Sequence, residues 1–167
     1  MGIEEMFAEM GSALGSDGGV FFTGGVYKVE LNEVEYRPNG YKGKSVFFRF
    51  KVLESGNAEH PVGSTRVWIL KLGKKPDEDK RTMADIKNLI FALTGTTLKE
   101  VGSPEQNPKA HKDATNLFLA ACDKAYAEKN KIDHDALIGR ECNLECQDVK
   151  TAKGNPFTRH VWTPADE

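Results

Sequence analysis

Aromatic and cationic side chains share one face of the segment SVFFRFKV, residues 45–52. Successive side chains of a β-strand point to opposite faces of a sheet. One face of this segment is fully apolar, so it is predicted to be buried. The other face carries Phe47, Arg49 and Lys51. Because the bases of a single-stranded nucleic acid stack on aromatic rings and its phosphates attract cations, this pattern favours a nucleic-acid-binding face.

A second strand is predicted for STRVWILKL, and it also has two distinct faces. Val67 and Ile69 fall on one face, and Arg66, Trp68 and Leu70 on the other. The two β-branched residues would suffice as a core face, whereas a buried Trp needs a partner for its indole N–H. We therefore expect Trp68 and Arg66 to be exposed beside the aromatic and cationic set. The alternative is that Trp68 is an anchor of the core.

Two predicted hairpin turns add further basic and aromatic side chains. YRPNGYKGK contains the turn residues Pro, Asn and Gly and is predicted to connect the strands of a long hairpin over residues 25–54. TAKGN is predicted to join the last two strands, where the alternation leaves open whether Trp162 or Arg159 points outward. The predicted nucleic-acid-binding residues are Phe47, Arg49, Lys51, Arg66, Trp68, Arg37, Tyr41, Lys42, Lys44, Arg159 and Trp162.

Composition and charge are those of one soluble domain with an uneven charge distribution. The 167 residues carry a net charge of −2, yet residues 23–75 hold ten Lys or Arg against five Asp or Glu. A basic segment of this kind is a candidate electrostatic footprint for nucleic acid. Three cysteines do not suggest a disulfide framework, and no apolar run approaches the length of a membrane span. We expect a cytoplasmic protein that does not contact a membrane.

The order of predicted elements indicates a mainly β fold with a helical insert. We predict a flexible acidic segment at residues 1–19, a single domain at residues 20–164 and a short acidic tail at residues 165–167. Three strands are followed by two helices, one beginning with Thr82 as its N-cap and ending at Gly95, and then by two more strands. With the helical insert at about residues 76–139, this is the chain order of a five-stranded OB-fold barrel.

The chain as a whole resembles the phage-encoded single-stranded DNA-binding proteins with an OB-fold. The resemblance lies in GVYKVELNEVEYRPNGYKGKSVFFRFKVLES, PVGSTRVWILKL, DIKNLIFALTG and the closing pair that ends in RHVW, and it covers roughly residues 20–164. It implies sequence-independent binding of single-stranded DNA in replication or recombination, inside the host cell cytoplasm. The departure is at the C-terminus, where many such proteins carry a longer acidic tail but WTPADE has only Asp166 and Glu167.

Other chemistries find little support in the sequence. GYKGKS lacks the first glycine of a phosphate-binding loop and precedes a strand instead of a helix. Cys142 and Cys146 lack the further ligands of a zinc site, and Asp77 and Asp148 are too far apart in sequence to argue for a nuclease. We predict no enzyme, no metal and no cofactor. The alternative function is a protein-interaction β-barrel of a replication or assembly complex, because exposed aromatic residues beside arginine also form protein–protein hot spots.

Overall fold

Five antiparallel strands form one sheet in the computed structural model, which describes residues 21–40, 43–72, 76–150, 152–154 and 156–165. The strand order is β3-β2-β1-β4-β5, so neighbours in the sheet include β1 and β4, which are distant in sequence. The bounds of the strands are β1 Gly25–Gly40, β2 Gly43–Ser55, β3 Thr65–Leu72, β4 Glu141–Lys150 and β5 Pro156–Pro164. The predicted order of three strands, helices and two strands is confirmed.

Four helices connect β3 to β4: α1 Pro76–Leu93, α2 Leu98–Val101, α3 Pro108–Cys122 and α4 Lys124–Asn130. The first helix begins at Pro76, six residues before the predicted N-cap Thr82, because proline suits the first helical position and the acidic residues after it suit a helix N-terminus. The predicted single second helix is interrupted at Asp123, which adopts an extended backbone and caps α4 through its carboxylate.

The core lies between the concave side of the sheet and the helices. The register pairs Phe48 with Trp68 and Phe50 with Arg66, and residues directly opposite each other share a face. Trp68 therefore belongs to the core face, where it is 7 % exposed, and Trp162 is buried to the same extent. The expectation that Trp68 is exposed is therefore wrong. In β5, where the sequence left the orientation open, Trp162 points into the core and Arg159 is exposed.

The sheet curves until its two edge strands approach each other, but it is not closed into a barrel. Within the described ranges no hydrogen-bonded pairing joins β3 to β5. Instead, the rings of Trp68 and Trp162 meet across the opening with their centroids 4.9 Å apart, and α1 packs against β5. Beside β3, Phe21 forms an isolated parallel bridge with Val67.

Some sequence predictions lie outside the described residues. These are the N-terminal segment, residues 1–19, the loop residues Tyr41 and Lys42, and the last two residues of the tail. Within the part of the chain that is described, no helix is long and apolar enough to cross a membrane.

Candidate nucleic-acid interface

Phe47 lies on the convex side of the sheet, away from the core, between two guanidinium groups. The guanidinium carbons of Arg37 and Arg49 lie 4.3 and 5.5 Å from the centroid of its ring. The ring is nevertheless only 1 % exposed, so the expectation of an open stacking platform is wrong. A cation over an aromatic face is attracted by the ring quadrupole. Phe47 therefore supports the positions of two arginine side chains.

Two carboxylates hold these arginine side chains from β1. Glu35 accepts hydrogen bonds from Arg37 Nε and, at 2.9 Å, from Arg49 Nη1, while Glu33 lies 3.1 Å from the same Arg49 nitrogen. The hydrogen bond from Arg37 is the main reason that the pKa of the Glu35 carboxyl falls below its usual value. The guanidinium groups are thus fixed by charge-assisted hydrogen bonds as well as by the ring.

Two exposed lysines complete this side of the sheet. Lys51 lies opposite Thr65, and Lys71 lies opposite Ser45. Neither lysine forms a salt bridge with any described residue. Sequence analysis missed Lys71, although its alternation with Ile69 places both on one face. We call the following set the outer patch: Arg37, Phe47, Arg49, Lys51 and Lys71. Its four cations lie beside three carboxylates of β1: Glu33 and Glu35, which pair with the arginines, and Glu30, which lies opposite Lys51.

Arg66 is not part of the outer patch, contrary to the sequence-based expectation. It is 4 % exposed because it lies opposite Phe50 on the core side of β3. Its Nε donates to His60 Nδ1 at 2.6 Å, and its Nη2 donates to the Glu59 carbonyl at 3.2 Å. The other ring nitrogen of His60 lies 2.8 Å from Thr23 Oγ1. Arg66 therefore anchors the loop between β2 and β3.

Three other predicted residues meet in a groove between the free edges of β3 and β5. This edge groove has a volume of about 710 Å³ and is lined by Trp68 from β3, by Arg159 and Trp162 from β5, and by Asp85 and Asn88 from α1. All three were predicted from the sequence to bind nucleic acid, with the orientation of Arg159 and Trp162 left open, and they line the opening of the curved sheet. The signal for this arrangement is the strand register, which sequence periodicity does not give.

The lining of the edge groove contains polar atoms without partners among the described residues and titratable groups with shifted pKa values. The indole Nε1 of Trp162 and the side-chain oxygen of Asn88 are buried and have no hydrogen-bond partner among the described residues. Burial lowers the pKa of His160, whose ring stacks on Trp162, to about 4. Burial raises the pKa of Asp85, and nearby Arg159 partly offsets that shift.

The remaining predicted site residue in the described ranges is Lys44. It is exposed but lies opposite Leu72, whose side chain packs against the core, so it stands at the rim of the sheet and not on the outer patch.

The cysteines and acidic residues form no evident chemical centre in the described part of the chain. Cys142 and Cys146 are buried free thiols, and burial raises the pKa of each to about 12. Asp148 accepts from the backbone N–H of Gly24 and from the Thr158 hydroxyl. Among the described residues no three His, Cys, Asp or Glu side chains lie close enough to hold a metal ion.

Comparisons with known proteins do not assign this chain to a family. No protein-family model matches it, and no curated protein matches its sequence.

Proposed function

We propose that this protein binds single-stranded DNA without sequence preference, in replication or recombination, and that the outer patch is its binding face. The fold proposed with it is an OB-fold in which the third and fifth strands do not pair with each other. The strand order is compatible with that assignment, and the OB-fold binds oligonucleotides on the face around strands two and three. The chain acts by binding, with no catalysis and no cofactor.

The observation that carries the proposal is the Arg37–Phe47–Arg49 arrangement between two exposed lysines. Bases stack on guanidinium planes as well as on aromatic rings. The two arginines therefore offer stacking surfaces, and Phe47 holds them in place from beneath. Lys51 and Lys71 contact phosphates, which releases counterions and gives affinity for any sequence.

A protein partner is the second candidate for this molecule. The edge of β5 and the part of β3 beyond the Phe21–Val67 bridge favour it, because they pair with no described residue and an unpaired strand edge can accept an added strand from another chain. The two candidates differ in salt dependence. Phosphate contacts weaken steeply as salt rises, whereas backbone pairing to a peptide strand does not release condensed counterions.

The outer patch is tested by removing its two lysines together. We expect Lys51→Ala combined with Lys71→Ala to lower the affinity for a fluorescein-labelled dT16 strand about tenfold or more at 50 mM NaCl. The slope of log K against log[NaCl] should become shallower by about 1.4, because each phosphate contact to a single strand contributes about 0.7. Fluorescence anisotropy measures both quantities.

The matched control replaces two exposed lysines of the helices, Lys112→Ala with Lys129→Ala. In this control the affinity should change by less than twofold, and the slope by less than about 0.3, relative to the unaltered protein. Equal losses in both double variants would mean that DNA binding is diffuse or lies elsewhere, and the outer patch would be rejected as the site.

A further inference from the structure

We infer that the edge groove is a pocket for one base of the bound DNA strand, with Trp162 and Asn88 as its recognition groups. This inference rests on the proposed function, since it needs DNA to be bound at the adjacent outer patch. It assigns a role to a cavity whose position, between β3 and β5, is separate from the convex face that carries the arginines.

The unpaired polar atoms are the main argument. Trp162 is 7 % exposed, and within the described ranges its Nε1–H donor has no acceptor and the Asn88 oxygen has no donor. A buried polar atom that has lost water and gained no partner is unfavourable, and such atoms are rare in folded proteins. Here the residue with the unpaired donor and the residue with the unpaired acceptor both line one groove. A ligand that carries both a donor and an acceptor would satisfy both.

A nucleobase fits this chemistry and this space. Its edge carries both hydrogen-bond donors and acceptors, and its flat faces match an aromatic lining. The rings of Trp68, His160 and Trp162 lie within 6 Å of one another by their centroids, at 4.9, 5.5 and 5.9 Å. The volume of about 710 Å³ is within the range of about 300–1,000 Å³ that is usual for small-molecule sites. Arg159 is exposed in the lining and can contact the phosphate attached to the base.

The groove also adjoins the outer patch. Val67 lines the groove and lies directly opposite Arg49 of the patch on the neighbouring strand. Neighbouring strands are separated by about 4.8 Å, which is less than the spacing between successive nucleotides in an extended strand. A DNA strand that crosses the outer patch therefore reaches β3 within one nucleotide, and beside the bridge between Phe21 and Val67 a base can turn into the groove.

Thymine allows a test at the level of single atoms. Its N3–H is a donor that the Asn88 oxygen can accept, and methylation of N3 removes that donor while leaving the phosphates unchanged. We compare dT16 with the same strand built from N3-methylthymidine, for the unaltered protein and for Asn88→Leu, by fluorescence anisotropy at 50 mM NaCl. Leucine keeps the approximate size of asparagine and cannot accept a hydrogen bond.

Methylation should weaken binding to the unaltered protein about 5- to 10-fold, the value of one hydrogen bond. Asn88→Leu should weaken binding of dT16 by a similar factor, and methylation should then cause no further loss. The salt slope should be the same in all four combinations, because no phosphate contact changes. The matched control is Asn130→Leu, at an exposed position of α4, which should behave as the unaltered protein.

Equal binding of the two strands by the unaltered protein, or equal losses on methylation with and without the Asn88 substitution, would overturn the base pocket while leaving DNA binding at the outer patch intact. Failure of the unaltered protein to bind dT16 at all would overturn the proposed function and this inference together. Thermal unfolding shows whether Asn88→Leu is folded. If it is not, the affinities of the unaltered protein for dT16 and for the methylated strand test the base pocket by themselves.

Discussion

Phe47 lies between two guanidinium groups, and this arrangement determines what each side chain of the outer patch can do. The ring has almost no accessible surface, so it acts through Arg37 and Arg49 instead of contacting a base directly. Glu35 binds both arginines, whereas Lys51 and Lys71 form no salt bridge with described residues, although Glu30 lies opposite Lys51. The patch therefore combines two arginines that carboxylates hold in place with two exposed lysines that form no salt bridge with described residues.

Glu35 also gives the patch a measurable dependence on pH. Its pKa in the folded protein lies below the ordinary 4.5, so its contribution to stability is present above pH 4.5 and is lost as the pH falls through the folded value. We expect Glu35→Gln to lower the free energy of unfolding at pH 7 and to reduce its fall between pH 4.5 and pH 3. Urea unfolding at these pH values measures both effects.

The control for this experiment is Glu54→Gln, an exposed glutamate on β2 that forms no salt bridge with described residues. Its unfolding free energy should follow that of the unaltered protein at each pH. A Glu35→Gln protein with an unchanged acid dependence would contradict the role given to the Arg37–Glu35–Arg49 contacts.

At the scale of elements, the register between β2 and β3 separates binding residues from structural ones. Arg66 and Lys71 are cations of the same strand, but one is opposite Phe50 inside the sheet and the other opposite Ser45 outside it. Periodicity within each strand correctly divided both into two sets of residues. It could not show which set of β3 matches which set of β2, because a shift of one residue exchanges the faces.

The register predicts opposite effects on stability and on DNA affinity when Arg66 or Lys71 is replaced by methionine. Arg66→Met should lower the free energy of unfolding by about 1–3 kcal/mol, because His60 and the Glu59 carbonyl lose their buried donor. Its affinity for dT16 should stay within twofold while the protein is folded. Lys71→Met should leave the free energy of unfolding unchanged and should weaken binding to dT16 several-fold. Urea unfolding and anisotropy on both variants distinguish these outcomes, and weaker DNA binding by a fully folded Arg66→Met protein would contradict the assignment.

At the scale of the whole molecule, the sequence predicted the order of the elements but not the opening between β3 and β5. Alternation and turn residues located the five strands, and apolar spacing located the first and second predicted helices. The gap between β3 and β5 depends on contacts between residues about ninety positions apart, such as Trp68 with Trp162, and no local pattern encodes such a contact. The edge groove, and with it Asn88, could therefore not be found from periodicity.

The distribution of charge over the whole molecule also matters. The net charge of the chain is −2, but cations predominate on the convex surface of β2 and β3. The four cations of the outer patch are drawn from three neighbouring strands, so a DNA strand that crosses the sheet meets all of them. Binding should depend on salt through the number of phosphates that these side chains neutralise.

The affinity of the unaltered protein for dT16 over 50 to 300 mM NaCl tests most directly whether the outer patch binds single-stranded DNA. We predict binding at low salt and a slope of log K against log[NaCl] of about −1.4, since the phosphate contacts of Lys51 and Lys71 each contribute about −0.7 on a single strand. A 16-base-pair duplex should bind more weakly, because its bases are stacked and cannot reach the arginines. No binding at 50 mM, or a slope near zero, would contradict the claim that the outer patch binds single-stranded DNA.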